Sequence, residues 1–317
     1  MKLSEYIESL DQRRELIWPE PPAPKPIKAK PYLKPISGIR AVVWSLYGTL
    51  LRIDTGRLHH LHPQKLRLQI ALEKTIQEFN LWQSMDRKPG QPWESLLPTY
   101  QKLVEDAQLR GTKRKGDVPE VDSAAVWLKI IERLEKNEYQ FDRGKYGDSA
   151  GLAEKMAYFF HASMQGVAAV EGAVSLLRRL MQSGIRQGLI DDGQSFSIPQ
   201  MLRAFQQQDR LDSPGDVISL DCVVLSHQIH LRKPSPSLFE KGVELLARHQ
   251  IEPPQVLYVT HRLTDDLAVA RSLGFRTALV VADAQCTQVE SADVNQPENR
   301  PDRLITELNQ VAHILGV

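Results

Sequence analysis

The apolar run Ala41-Val42-Val43-Trp44 is followed directly by Ser45, then Tyr47, and Gly48-Thr49-Leu50 turns the chain away. Two later runs also end in groups able to do chemistry. Gln187–Ile190 leads into Asp191 and Asp192, and Val256–Val259 into Thr260, His261 and the pair Asp265-Asp266. Lys233 stands in Arg232-Lys233-Pro234-Ser235-Pro236. A serine hydroxyl is neutral and becomes a nucleophile only with a base beside it, and no base is evident in its own stretch. Tyrosine, with a pKa near ~10, is a poor base at neutral pH. Asp191, His261 and Asp266 form a donor set suited to a transition metal rather than magnesium, and a metal-bound hydroxide could then serve as the nucleophile. The plainer role for such acids is helix capping, the reading adopted for Asp192 and Asp265. Lys233 is expected as a countercharge to Asp266 or Asp191.

Other clusters carry less. His59, His60 and His62 crowd one loop without an acidic or cysteine partner in the stretch, and are read as a solvated turn. Lys113-Arg114-Lys115 lacks interleaved aromatics and is read as an exposed loop rather than a nucleic-acid face. Trp44 is read as core.

These groups need a frame. Short apolar runs separated by helical patterns predict a parallel sheet covered on both faces. The strands are expected at Ala41–Trp44, Gln187–Ile190, Cys222–Leu225, Val256–Val259 and Thr277–Val281, with a closing helix over Asp302–Leu315. Between residues 56 and 166 the pattern is helical. Leu68, Leu72, Ile76 and Phe79 mark one helix face, and Asp122 or Ser123 caps a helix carrying Val126, Ile130, Ile131 and Leu134. Ahead of the first strand, a short amphipathic stretch (Leu3 to Leu16) precedes WPEPPAPKPIKAKPYLKP, whose prolines favour an extended conformation. The chain therefore divides into a proline/lysine-rich tail (1–38), an α/β core (39–55 plus 167–317) and a helical insertion (56–166). The tail is read as a spacer, with residues 19–35 as a docking segment for a protein partner in the sharper version.

Composition narrows the classes. The chain has 317 residues, 40 Lys plus Arg against 39 Asp plus Glu, and a net charge of +1, so neither nucleic acid nor an acidic membrane is called for. Its two cysteines, Cys222 and Cys286, are too few for a disulfide framework and fit a reducing cytoplasm. No apolar run approaches the ~20 residues of a membrane span. The charged N-terminus lacks the apolar segment of a secretory signal.

Four ordered segments resemble one family. WSLYGTLL, Gln187–Gly193, Leu225-Ser226 through Arg232-Lys233-Pro234-Ser235-Pro236, and Tyr258–Asp266 followed by Ala270–Gly274 are similar to the four motifs of the haloacid dehalogenase (HAD) superfamily. The resemblance spans residues 40–317. It implies a Rossmann-like parallel sheet core covered by helices, with a helical cap domain inserted after strand one. It also implies that Ser45 occupies the nucleophile's aspartate position, Tyr47 that of the acid/base, Asp191 that of a Ser/Thr phosphate donor, and His261 that of a metal-binding aspartate. Lys233 and Asp266 match the family. The family phosphatases use magnesium and an aspartyl-phosphate. The 2-haloacid dehalogenase branch, similar here in Tyr47, uses an aspartyl ester and no metal. Serine serves neither route.

The leading expectation is thus a catalytically inactive HAD-like protein with a binding or scaffold role and no cofactor. The alternative is an active phosphatase- or dehalogenase-like hydrolase using Asp191, His261 and Asp266 on a divalent transition metal. A third reading makes Ser45 a phosphoacceptor.

Overall fold

The computed structural model describes residues 1–85, 89–287, 294, 296 and 300–317. Ten strands occur among them: β1 (Ala41–Trp44), β2 (Leu51–Arg52), β3 (Val118–Pro119), β4 (Ala168–Ala169), β5 (Arg186–Asp191), β6 (Val223–Leu225), β7 (Leu231–Arg232), β8 (Val256–Thr260), β9 (Arg276–Val280) and β10 (Arg303–Ile305). Six of them form one parallel sheet in the order β10-β9-β8-β1-β5-β6. The strands are buried on both faces, which is why β1 and β8 read as unbroken apolar runs rather than alternating ones. The chain leaves β1 toward β5 and β6, then crosses back to β8, β9 and β10. The order of the strands therefore reverses around β1. In such sheets the crevice at the carboxyl ends of the strands flanking the reversal is where chemistry gathers.

Among the described residues, five α-helices lie between β2 and β4: α2 (Lys65–Glu78), α3 (Pro92–Gln108), α4 (Ser123–Glu135), α5 (Arg143–Tyr146) and α6 (Ser149–Met164). They share one apolar core that includes Leu68, Leu72, Ile76, Tyr100, Trp127, Ile131 and Phe160. The Asp122 carboxylate caps α4 by accepting from the Ala125 amide. The antiparallel pair β2–β4 forms the stem through which the chain enters and leaves this helical block. A second antiparallel pair, β3–β7, ties the block to the segment immediately before Lys233.

Residues 1–38 do not hang free as a spacer would. The first helix, α1 (Leu3–Asp11), buries Tyr6, Ile7 and Leu10 in the core of the helical block. Trp18 meets the Phe159 ring edge-on at 5.3 Å. Further on, Ile27 and Ala29 pack on one face of the sheet and Leu33 and Ile36 on the other. The reason is composition. The tail carries large apolar side chains at intervals, and its proline segment has few backbone donors to satisfy when it is laid against a surface.

The expected closing helix over Asp302–Leu315 is also corrected: Arg303–Ile305 is the edge strand β10, and only Gln310–Leu315 is helical. Asp302 decides this, because its carboxylate accepts from both the amide and the hydroxyl of Thr277 and pins the segment alongside β9.

Candidate functional site

The carboxyl ends of β1, β5 and β8 converge on the side chain of Lys233. Ser45 leaves β1 with its amide bonded to the Val259 carbonyl, 3.0 Å, so its hydroxyl is fixed at the mouth of the strand. Asp191 is the last residue of β5. One of its oxygens, Oδ1, accepts from Ser45 Oγ at 2.8 Å and from Lys233 Nζ at 2.7 Å, and Oδ2 accepts from the Tyr47 amide at 3.0 Å. A single π-helical turn after β8, Leu263–Leu267, returns Asp266 toward the sheet. There its Oδ2 accepts from Lys233 Nζ at 2.8 Å, Thr260 Oγ1 at 2.6 Å and the Tyr258 hydroxyl at 3.0 Å. Lys233 Nζ also donates to Ser45 Oγ at 3.0 Å. Ser45, Asp191, Lys233 and Asp266 are all buried.

An ammonium has three donors, and Lys233 spends them on three oxygens, from the ends of β1 and β5 and from the turn after β8. Burial alone would raise the Asp191 carboxyl. The Lys233 ammonium and then Arg262 outweigh it and hold Asp191 below the usual carboxylate range. Burial likewise opposes the charge on Lys233, and the carboxylates of Asp191 and Asp266 outweigh it and raise its pKa. Each charge is therefore kept by the others. A carboxylate held this firmly in its ionised form is a weak proton acceptor for Ser45.

The remaining positions diverge from a catalytic arrangement. The Tyr47 hydroxyl points into helix α8 (Ser197–Gln206), where it donates to Gln200 Oε1 at 2.7 Å and lies 2.9 Å from Ser197 Oγ. Burial pushes its pKa up, which removes it further from acid/base work at neutral pH. Burial, and then the cations Arg262 and Lys233, push the His261 pKa well down. Its Nδ1 lies 3.1 Å from Thr49 Oγ1. The ring fills space that two glycines leave open: a Cβ on Gly48 would come 2.4 Å from His261 Cε1, and one on Gly56 would come 2.6 Å from Nε2. Gly48 also has φ +79°, a conformation that favours glycine.

Asp191, His261 and Asp266 accordingly do not assemble as ligands of one ion. Among the described residues, the group of three His, Cys, Asp or Glu side chains whose donor atoms lie within 4.8 Å of one another is Asp221, Cys222 and His249. Magnesium fits the Lys233 cluster no better. It needs near-octahedral oxygen ligation, whereas Asp191 Oδ1, Asp266 Oδ2 and Ser45 Oγ already converge on an ammonium. Asp266 Oδ1, buried without a hydrogen-bond partner, offers a single ligand.

Two acids expected as helix caps have other work. Asp192 accepts from the Lys233 amide at 2.7 Å and from Arg262 Nη1 at 2.7 Å, and Asp265 pairs with Arg57 at 2.8 Å. The histidine loop is not a solvated turn either. His62 is buried with Nε2 3.3 Å from Asp54, His59 Nε2 lies 2.6 Å from Thr55 Oγ1, and the His60 ring packs on His161 at 5.3 Å. Burial and neighbouring His62 push His59 down to about 4. His59 and His60, but not His62, line a cleft of about 250 Å³ together with Arg57, Glu120, Asp192 and Arg262, and none of Ser45, Asp191, Lys233 or Asp266 borders it.

Tyr258, Arg262, Ser197 and Gln200 are members of the cluster or its supports that residue spacing did not single out. Thr260 and Arg262 flank His261 in the chain. Tyr258 carried no signal, because an aromatic in a buried strand reads as core.

Residues 230–311 match the family model described as HAD-hydrolase-like. No curated protein matches the chain in sequence. Among solved structures, the 2-haloacid dehalogenase from Pseudomonas syringae pv. Tomato DC3000 aligns at 19% identity over 88% of this chain and 98% of its own, with a TM-score of 0.55. An HAD phosphatase from Thermococcus onnurineus aligns at 16% identity over 88% and 98%, with a TM-score of 0.47. The L-2-haloacid dehalogenase from Xanthobacter autotrophicus aligns at 16% over 88% and 98%, with a TM-score of 0.44.

Proposed function

We propose that this haloacid dehalogenase-superfamily protein is a pseudo-hydrolase that acts by binding, its former reaction centre having become a buried ion cluster. One observation carries the reading: Lys233 Nζ lies 2.7–3.0 Å from Asp191, Asp266 and Ser45, so the carboxylates and hydroxyl are committed to one another. Carboxylate-based hydrolysis needs a nucleophile free to attack and an acid/base within reach of the substrate. Here Ser45 faces a carboxylate locked in its ionised form, and Tyr47 faces away. Asp191 also puts negative charge where a phosphoryl group would need a donor. In this reading the helical block is a cap kept for recognition. Lys25, Lys28, Lys30 and Lys34 stay exposed while the tail between them packs down, so the outer face of residues 19–35 is the surface offered to a protein partner.

The test is hydrolysis of a phosphate-ester and 2-haloacid panel by the purified chain, with magnesium, manganese, zinc or chelator. Ser45→Ala and Asp266→Asn serve as controls. No turnover above the controls is expected. Metal-dependent turnover lost in Asp266→Asn would restore the rewired-hydrolase reading, and chelator-resistant turnover lost in Ser45→Ala would make serine the nucleophile.

A further inference from the structure

At the amino ends of the strands, away from the Lys233 cluster, three different donor side chains meet. Asp221 and Cys222 close the short turn Leu220–Cys222 that leads into β6. His249 follows helix α10 (Pro236–Ala247), its amide bonded to the Leu246 carbonyl at 2.9 Å. His249 Nε2 lies 2.8 Å from Asp221 Oδ2. The donor atoms of Asp221, Cys222 and His249 all fall within 4.8 Å of one another, a group that occurs once among the described residues.

We propose that Asp221, Cys222 and His249 form a binding site for a single zinc-type divalent cation. A thiolate, an imidazole and a carboxylate are the three ligand types zinc takes, and three protein ligands leave a fourth position for water. Zinc–ligand bonds of about 2.0–2.3 Å put tetrahedral ligands roughly 3–4 Å apart, so side-chain adjustment of about 1 Å would close the trio. The surroundings agree. Cys222 is buried at 3% exposure, while the Asp221 and His249 side chains keep 57% and 25%, so the sulfur forms the floor and the other two the rim. Arg186 Nη1 lies 3.4 Å from Asp221 Oδ1, which orients that carboxylate with Oδ2 toward His249. Forming the metal–sulfur bond releases the thiol proton to solvent. The other cysteine, Cys286, is remote in partners, lying against Ile53 and Asp283. The bound ion would join the start of β6 to the end of α10. The inference is independent of whether the chain hydrolyses anything.

The experiment uses the full chain, stripped with chelator under reducing conditions and titrated with cobalt(II). One equivalent should give a thiolate-to-cobalt charge-transfer band that zinc displaces, and zinc should raise the melting temperature. Cys222→Ser should abolish the band, Cys286→Ser should keep it, and His249→Ala should weaken binding roughly tenfold or more. Absence of the band in the unaltered chain, or a band lost only in Cys286→Ser, overturns the site. Should Cys222→Ser fail to fold, His249→Ala sits on the rim and decides the matter: unchanged affinity there also overturns it.

Discussion

Lys233 and Asp191 meet at 2.7 Å with side-chain exposures of 0% and 2%, and the ammonium reaches Asp266 in the same geometry. A buried pair of this kind is weak evidence of net stabilisation, but removing one partner leaves the others charged and without a countercharge. Lys233→Met should therefore cost about 3–5 kcal/mol, read by urea unfolding. Combining it with Asp191→Asn should recover part of that loss. A Lys233→Met protein as stable as the original would mean that the cluster is solvated and the proposed function is wrong in its premise.

The pH dependence has a definite sign. The folded-state pKa of Asp191 is depressed, so its contribution is complete above the unfolded value of about 3.9 and is lost as pH falls through its own lower value. Lys233 is raised, so its contribution is complete below about 10.4 and is lost only as pH rises through the higher folded value. Urea midpoints should accordingly show no loss from either group between pH 5 and 9. Below about pH 4 the loss should be steeper in the unaltered chain than in Asp191→Asn. Equal acid slopes in the two proteins would count against an ionised Asp191.

Restoring a carboxylate at the first loop position should not restore hydrolysis. In Ser45→Asp the new carboxylate would stand against Asp191, which already accepts from Ser45 Oγ at 2.8 Å, and like charges at that range oppose one another. The expected result is lower stability and no turnover on phosphate esters or 2-haloacids. Ser45→Ala loses only the hydroxyl's bonds and should cost about 0.5–1.5 kcal/mol. Turnover in Ser45→Asp alone would show that one residue held the chemistry off.

Gly48 and His261 should behave as a unit. Gly48→Ala adds a Cβ that would lie 2.4 Å from the His261 ring, at a φ of +79°. It should destabilise the chain by about 1–3 kcal/mol. In a His261→Ala background the clash with the ring disappears, while the approach to Gly56 Cα at 2.8 Å and the backbone strain remain, so the two effects should be measurably non-additive in a double-mutant cycle. Simple additivity would show that the loop moves away from the ring.

Deleting residues 1–35 should lower the melting temperature rather than leave the body untouched. Tyr6, Ile7 and Leu10 are at most 2% exposed in the core of the helical block, and burying one such side chain is worth about 1.5–3 kcal/mol. Arg203 adds a tie from α8 to Asp11 of α1 at 3.0 Å. An unchanged melting temperature would return the tail to the status of a spacer.

The sequence by itself determined the sheet and its helices, because strand-length apolar runs and helical periodicity are local. Val42, Val43 and Trp44 had to be buried, and Leu68, Leu72 and Ile76 had to share a face. It also determined which side chains could stand at the strand ends, and hence the expectation that Lys233 faces Asp191 or Asp266. Tertiary structure decided that it faces both, that Tyr47 turns toward Ser197 and Gln200, and that His261 is held against two glycines instead of joining the carboxylates. It alone showed that Asp302 converts the start of the final segment into β10 and that the tail is packed down. The physical reason is the same in each case. Periodicity fixes which face of an element is apolar, whereas the partner of a buried charge or ring is set by groups far away in the chain, such as Ser45 and Lys233, 188 residues apart.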